Sequence, residues 1–324
     1  MGFSTRESGT HRATRGRVVN AADTARPASL TLPPPRLAAP AARTPRSQLA
    51  LAWHQFRRHR LAIVAAAILG GICLAAAAAP WISPYDPNKT DLLARLESPS
   101  AAHWFGTDDL GRDELTRILW GGRISLTVGV LTAFVAILVG TLLGAVAGYF
   151  GGRIDNLLMR FADLVIALPQ LFLLILLASL VGTSVFTVVL VIGALRWMPV
   201  ARLVRASVLS LKEQDYVTAA RTLGAPTPRV IARHILPNAL SPIIVAATLG
   251  VAGAIITESA LSFLGLGIQP PTATWGNMLR TAQDVIETAP WTAFFPGLMI
   301  FLTVLSINYI GDGLRDALDP HRSR

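Results

Sequence analysis

The feature of this sequence that most restricts its fold is a series of apolar runs, each roughly 20 residues long. At about 1.5 Å of rise per residue, a helix of this length crosses a hydrocarbon layer about 30 Å thick. Six such runs can be drawn, at residues 61–79, 124–149, 161–181, 184–200, 242–264 and 291–310. Because lipid offers no partner to an unpaired backbone group, each run is predicted to be a helix. The sequence therefore predicts an all-α membrane protein with about six transmembrane helices.

Two of these runs contain features that could interrupt a straight helix. Pro169 lies inside the third run, where it could act as a hinge or as a static kink. The fourth run is the weakest of the six, because Arg196 and Pro199 interrupt it. We nevertheless expect both runs to span the membrane.

The composition excludes the main soluble classes. Only 15% of the residues are charged, against about 25% in soluble domains. The single cysteine, Cys73, lies inside the first run, so a disulfide framework and a cysteine-based zinc site are both excluded within this chain. The six histidines lack metal-ligand spacing.

The spans divide the chain into four parts. Residues 1–47 are rich in Arg, Pro and Ala without apolar periodicity, and are predicted to be a disordered cytoplasmic tail. Residues 48–123 hold the first span and a long extracytoplasmic segment. Residues 124–318 form a core of five helices, and 319–324 form a short cytoplasmic tail.

The distribution of basic residues predicts the orientation of the spans. If the N-terminus is inside, the cytoplasmic segments and the interrupted fourth run hold 23 of the 29 Lys and Arg residues, and six lie outside. This asymmetry places both termini in the cytoplasm of a multi-pass inner-membrane protein. The net charge of +10 is scattered between spans rather than gathered in one stripe, so nucleic acid is not an expected partner.

The loop at residues 210–238, between the fourth and fifth spans, predicts a helix-turn-helix. Its first helix carries an apolar stripe at helical spacing and ends at a glycine: the residues are Tyr216, Ala219, Ala220, Leu223 and Gly224. Thr227 is predicted to cap a second helix with Pro228 at its first position, and Pro237 ends that helix. The stripe requires a surface to dock against, which could be the lipid interface or a partner protein.

The same loop resembles a known motif. It carries, in order, Thr218, Ala219, Ala220, Gly224, Leu236 and Pro237. This pattern resembles the loop motif of binding-protein-dependent ABC importer permeases, which reads Glu-Ala-Ala, three residues, Gly, nine residues, Ile, any residue, Leu-Pro. Thr218 stands at the family's glutamate and His234 at its isoleucine, so any salt bridge made by that glutamate is in doubt here.

Further blocks extend the resemblance to roughly residues 47–320. Residues 105–113 (FGTDDLGRD) and 258–267 (ESALSFLGLG) are similar to segments of the dipeptide and oligopeptide permease subfamily. The closest resemblance is to the subunit with a long extracytoplasmic segment after its first span. It implies a transmembrane permease that forms the path with a second permease subunit, receives peptides from an extracytoplasmic binding protein and contacts two ATPase subunits.

The resemblance also implies that the loop helix inserts into a cleft on an ATPase subunit. The coupling residues would then be Tyr216, Thr218, Ala219, Ala220, Leu223, Gly224 and Pro237. Neither Lys89 nor Lys212 has the context of a phosphate-binding loop. We therefore expect no catalytic residue and no cofactor in this chain, with ATP and magnesium held by the partner ATPases.

Other residues within the spans keep two interpretations each. Glu258, near the outer end of the fifth span, is either a gate or peptide contact, or a structural hydrogen-bonding carboxylate. Gly140, Gly144 and Gly148 form a groove on the second span that serves either a subunit interface or packing within the chain. Outside the membrane, the segments 82–117 and 268–290 are expected to receive the binding protein.

Two alternatives to peptide import stay open. Similar permeases carry nickel or another small solute. An ion-gradient-driven secondary transporter would need intramembrane acids and often an inverted repeat. Beyond Glu258 and Asp163 the spans supply few acids, and no repeat is evident.

Overall fold

The computed structural model describes residue 53 and residues 55–57, 59–182 and 184–318. The two predicted tails, 1–47 and 319–324, lie outside the described residues. Within the described part the helices, numbered in chain order, are α1 (Arg60–Ile82), α2 (Glu114–Phe150), α3 (Gly152–Ala167), α4 (Gln170–Val181), α5 (Val185–Leu211), α6 (Asp215–Thr222), α7 (Thr227–Val230), α8 (Leu240–Phe263), α9 (Trp275–Gln283) and α10 (Trp291–Leu318). A 3₁₀ turn covers Leu92–Ala94, and a π-helical turn, Ile231–Ile235, follows α7.

The all-α membrane architecture is confirmed. Five helices are long and apolar enough to cross a membrane, namely α1, α2, α5, α8 and α10, and the bent pair α3–α4 brings the number to six if it counts as one span. The described residues contain no β-strand, only one isolated bridge between Thr107 and Asp113. The fifth and sixth predicted spans begin within two residues of α8 and α10.

The helices α2 and α5 pack along each other at the centre of the bundle. Gly140, Gly144 and Gly148 lie at this contact, within the chain itself. A Cβ at Gly140 would lie 2.7 Å from the carbonyl oxygen of Trp197, and one at Gly148 would lie 2.8 Å from that of Arg205. No side chain fits at such distances, so glycine lets the two backbones approach closely.

The single span predicted at 161–181 is wrong in shape. The structure divides it into α3 and α4, which meet at an angle of 91°. Leu168, between them, is extended, with φ −78° and ψ 140°. Pro169 explains the break, because its ring disfavours the helical conformation of the preceding residue and it has no backbone N–H to donate.

The helices α2 and α5 extend by ten or more residues beyond the spans predicted for them. Helix α2 begins at Glu114, ten residues before the predicted start, and the Asp113 carboxylate caps it by accepting a hydrogen bond from the Thr116 amide. Helix α5 continues through Arg196 and Pro199 to Leu211.

Candidate functional site

The loop between α5 and α8 begins with the short helix α6, which ends in a left-handed turn at Gly224. The φ angle of Gly224 is +81°. Its amide donates to the Arg221 carbonyl (2.9 Å), and the Ala225 amide donates to the Ala220 carbonyl (3.1 Å). These two bonds form a Schellman motif, in which a glycine in the left-handed region closes the helix. The sequence prediction that α6 stops at Gly224 matches this geometry.

Three contacts fix this loop to the end of the bundle. The Val217 side chain is completely buried, in an apolar cluster with residues of α2, α5, α7, the π-helical turn and α8. The Arg221 guanidinium lies 5.0 Å from the ring centre of Tyr149, in α2. The Lys212 Nζ donates to the Gly148 carbonyl (3.1 Å). The loop is therefore attached to α2 by two specific contacts and to the rest of the bundle through the apolar cluster around Val217.

The predicted apolar stripe is largely on the outside of α6. Leu223 is 88% exposed and Tyr216 is 41% exposed. Ala219 and Thr218 are exposed as well, whereas Ala220 is half-buried. We call Tyr216, Ala219 and Leu223 the exposed face of α6.

The sequence prediction missed Val217, which anchors α6 to the bundle. The available signal was its spacing of three residues from Ala220, because residues three apart share a side of a helix. The expected Thr227 cap is also wrong: the residue before α7 is Pro226, no side-chain cap bond is present, and Thr227 is already helical. Pro237 lies in the turn that leads from the π-helical turn to α8.

At the opposite end of α2, the structure brings the segments 82–117 and 268–290 together. Trp291, which follows the second segment, donates from Nε1 to the Thr107 carbonyl (3.2 Å). The rings of Phe105 and Phe295 stack with centroids 4.0 Å apart. Trp275, the first residue of α9, is almost fully buried at this end of the bundle.

This end of the bundle also contains a buried group of charges. Asp108 accepts from the Arg112 Nε (2.6 Å) and lies 3.4 Å from the Arg117 Nε. Burial raises the pKa of Asp109, the neighbouring Asp108 carboxylate raises it further, and Arg112 opposes both effects. Asp108 thus faces two arginines, Arg112 before α2 and Arg117 in its first turn.

Glu258 is fully buried in α8 and is held by hydroxyl groups. Ser262 donates to its Oε1 (2.7 Å), and Ser125 of α2 lies 3.4 Å from its Oε2. The Ser125 hydroxyl also accepts from the Trp275 amide (3.2 Å). Glu258 thus links α8 to α2 and, through Ser125, to α9. It does not line the cavity described below.

Two ion pairs join α3 to α5. Asp155 accepts a two-pronged contact from the Arg205 guanidinium, in which Nη2 lies 2.6 Å from Oδ2. Asp163 pairs with Arg202. The Asp163 carboxylate is twelve residues into α3, so it serves as an ion-pair partner rather than as a charge at a helix start.

A cavity of about 520 Å³ lies inside the bundle between α2, the α3–α4 bend, α5 and α8. Its lining is mostly apolar, and its polar side chains are Gln170, Arg196 and Arg202. Among the described residues, no group of three or more His, Cys, Asp and Glu side chains is placed to hold a metal ion.

These features define a class: a multi-pass membrane protein with a cavity inside its bundle and a short helix anchored beside one end. Comparison with known proteins identifies the family. The family model of the binding-protein-dependent transport system inner membrane component matches residues 140–324, and that of the N-terminal TM domain of oligopeptide transport permease C matches residues 47–99. The chain belongs to this family of inner-membrane permease components.

Individual relatives agree with this assignment. The chain is 46% identical to the dipeptide transport system permease protein DppC of Alkalihalophilus pseudofirmus over 269 residues, which cover 83% of this chain and 88% of the relative. It is 45% identical to the oligopeptide transport system permease protein OppC of Bacillus subtilis (82% and 87% covered) and 43% identical to OppC of Haemophilus influenzae (82% and 86% covered).

Proposed function

We propose that this chain is a permease subunit of an ATP-driven ABC importer of dipeptides or oligopeptides. The cargo class is inferred from the relatives, whose names are dipeptide and oligopeptide transport system permease proteins. The dependence on a binding protein is inferred from the family.

The remaining parts of the importer would be separate chains. A second permease subunit completes the path, two ATPase subunits hold ATP and magnesium, and a binding protein delivers peptide to the surface formed by segments 82–117 and 268–290. This chain supplies no cofactor site of its own. With both termini in the cytoplasm, α6 and α7 lie on the same side of the membrane as the ATPases.

The observation that carries the proposal is the exposed face of α6. An apolar side chain that is 88% exposed, such as Leu223, has no partner within the described chain. The helix that presents it is nevertheless attached to the bundle, through Val217 in the buried apolar cluster and through Arg221, which lies over the Tyr149 ring of α2. A helix that is apolar outside and rigidly attached inside suits the transmission of force from a partner to the bundle.

In the proposed mechanism, closure of the ATPase pair around ATP displaces α6. Because α6 is attached to α2 and to the apolar cluster that α5 and α8 share, its displacement changes how these helices pack, and access to the cavity alternates between the two sides of the membrane. ATP must then bind the two packing states of the importer with different affinity.

The proposal is tested by Leu223→Glu in the complete importer. Docking of the exposed face would bury the new carboxylate without a partner, which is costly. We expect copurification of the ATPase subunits to fall more than tenfold, and ATP-driven peptide uptake in proteoliposomes to fall with it, since each 1.4 kcal/mol is a factor of about ten.

The matched control is Leu93→Glu. Leu93 is 96% exposed and lies near the opposite end of α2, so the same charge there must leave ATPase copurification unchanged. Normal ATPase stoichiometry with Leu223→Glu would contradict the docking of this face.

A further inference from the structure

A guanidinium lies near the middle of the membrane-spanning bundle, at the cavity. Arg196 is the twelfth residue of α5, about 17 Å from the start of that helix at 1.5 Å per residue. Its side chain is half-buried and contributes to the lining of the 520 Å³ cavity. A charged side chain at this depth is costly and is by default a functional candidate.

Helix α5 contains three arginines, and Arg196 is the one that has no carboxylate partner in the described chain. Arg202 pairs with Asp163, and Arg205 pairs with Asp155. The polar contact of Arg196 among the described residues is neutral: its Nη1 donates to the Thr257 hydroxyl of α8 (3.3 Å). The charge of Arg196 is therefore not neutralised within the described chain.

The surroundings of Arg196 are shaped to hold the guanidinium in one place. A Cβ at Gly253 of α8 would overlap its Nη2, so glycine makes room for it there. The Thr257 hydroxyl donates its proton to the Gly253 carbonyl (2.8 Å). The lone pairs of the Thr257 hydroxyl oxygen are therefore available to accept from Arg196. A guanidinium has five N–H donors, and the Thr257 contact uses one of them.

We propose that Arg196 binds a carboxylate of the transported solute inside the cavity. The expected group is the C-terminal carboxylate of a peptide. This inference rests on the proposed function. The planar guanidinium matches a carboxylate in two-pronged geometry. The cavity volume falls within the range of about 300–1,000 Å³ that is usual for ligand pockets. A carboxylate would neutralise the one guanidinium at this cavity that lacks an acidic partner in the described chain.

The test compares three peptides in proteoliposomes that contain the complete importer, each at a concentration that saturates the binding protein. The peptides are Ala-Ala-Ala, its C-terminal amide, and the amide of Ala-Asp-Ala, which carries a carboxylate only in its side chain. We expect Arg196→Gln to lower uptake of Ala-Ala-Ala about tenfold or more, the loss typical of a charge-assisted contact, and to leave the amide unchanged. A fall in uptake of the Asp-containing amide would show that a side-chain carboxylate binds as well, whereas no fall would restrict the site to the C-terminus.

Two more variants keep the test decisive if Arg196→Gln fails to assemble. Arg196→Lys keeps the positive charge but loses the planar, two-pronged geometry. Its loss of Ala-Ala-Ala uptake relative to the amide should therefore be smaller than that of Arg196→Gln. Gly253→Ala should displace the guanidinium and produce the same selectivity as Arg196→Gln. Arg202→Gln is the control, because Arg202 lines the same cavity but is already paired; it should affect all three peptides by the same factor.

Several results would overturn the proposal. Equal losses for the free acid and the amide in Arg196→Gln would do so. A loss of the second permease subunit from all the Arg196 and Gly253 variants would assign the guanidinium to a partner's acid instead. If the unsubstituted importer took up none of the three peptides, the peptide-import function itself would fail, and the proposal with it.

Discussion

Substitutions at Gly224 test whether the left-handed turn after α6 is required for coupling. The φ angle of +81° is open to glycine, is tolerated by asparagine, and is unfavourable for residues with a bulky or β-branched side chain. Apart from Gly224 itself and its two neighbours in the chain, no heavy atom of the described residues lies within 4 Å of the position that a Cβ would occupy. The effect of a substitution must therefore follow the φ preference of the new residue rather than its volume.

This separation makes the expected order specific. A left-handed conformation costs an ordinary residue roughly 1–2 kcal/mol, which corresponds to a factor of about 5–30 in the population of the turn. Gly224→Asn should cost less than Gly224→Ala although asparagine is larger, and Gly224→Val should cost most. If volume mattered, alanine would instead be the mildest of the three.

The measurement is hydrogen exchange of the segment 221–225 in the purified complex, corrected for intrinsic rates, together with ATP-driven uptake. Exchange should be about fivefold faster for Gly224→Ala and about thirtyfold faster for Gly224→Val, since the Ala225 amide is bonded only while the turn is formed. Uptake should decrease in the same order, with the protein still inserted. A ranking by size would refute the reasoning, as would equal exchange in all four proteins.

Two further predictions concern the bundle itself. Gly144→Ala should destabilise the chain by about 1–3 kcal/mol, because its Cβ would overlap the backbone of α5 at Ala201. The measurement is a lower Tm in detergent. The control is Gly70→Ala on α1, where the Cβ would lie in open space and Tm should stay unchanged or rise. For the ion pair of Asp155 and Arg205, a double-mutant cycle with Asp155→Asn and Arg205→Gln should give a coupling energy of roughly 1 kcal/mol. The value is small because solvent screens the pair at Arg205, which is about one-third exposed. Additive effects of the two substitutions would show that the pair contributes nothing.

The spans were predictable from the sequence where insertion into lipid alone decides the structure. The predicted fifth span, 242–264, differs from α8 by two residues at its start and one at its end, because the run is apolar over most of its length, with Glu258 as its one charged residue. The bend at Pro169 was not predictable from the same criterion. An apolar window of 21 residues has the same mean hydropathy whether the helix is straight or bent by 91°.

The missed helix extensions have a common physical reason. The charged residues at the start of α2 and the end of α5 read as the limits of a membrane span, but partners that are distant in sequence or in other elements neutralise them. Arg117 approaches Asp108, and Arg205 is paired with Asp155 of α3. Ion pairs of this kind depend on tertiary structure, so hydropathy underestimates the length of the helices.

The candidate site was predictable in part. Helical spacing and the glycine indicated α6 and its end. Which side of α6 faces the bundle depends on Val217. This side chain is buried in a cluster to which α2, α5, α7, the π-helical turn and α8 contribute, and a local pattern does not reveal such a cluster. Arg196, by contrast, was evident in the sequence, but only as an interruption of the fourth span, because its cavity is formed by residues from five helices.

The continuity of α5 has a mechanical consequence. This helix runs unbroken from Val185 to Leu211, and α6 begins four residues later. Arg196 and Leu211 are separated by about 22 Å of helical rise, at 1.5 Å per residue, with Pro199 between them. In the proposed mechanism, a tilt imposed on the aqueous end of α5 would reach Arg196 through this continuous helix, so that its contact with the solute carboxylate would change together with access to the cavity.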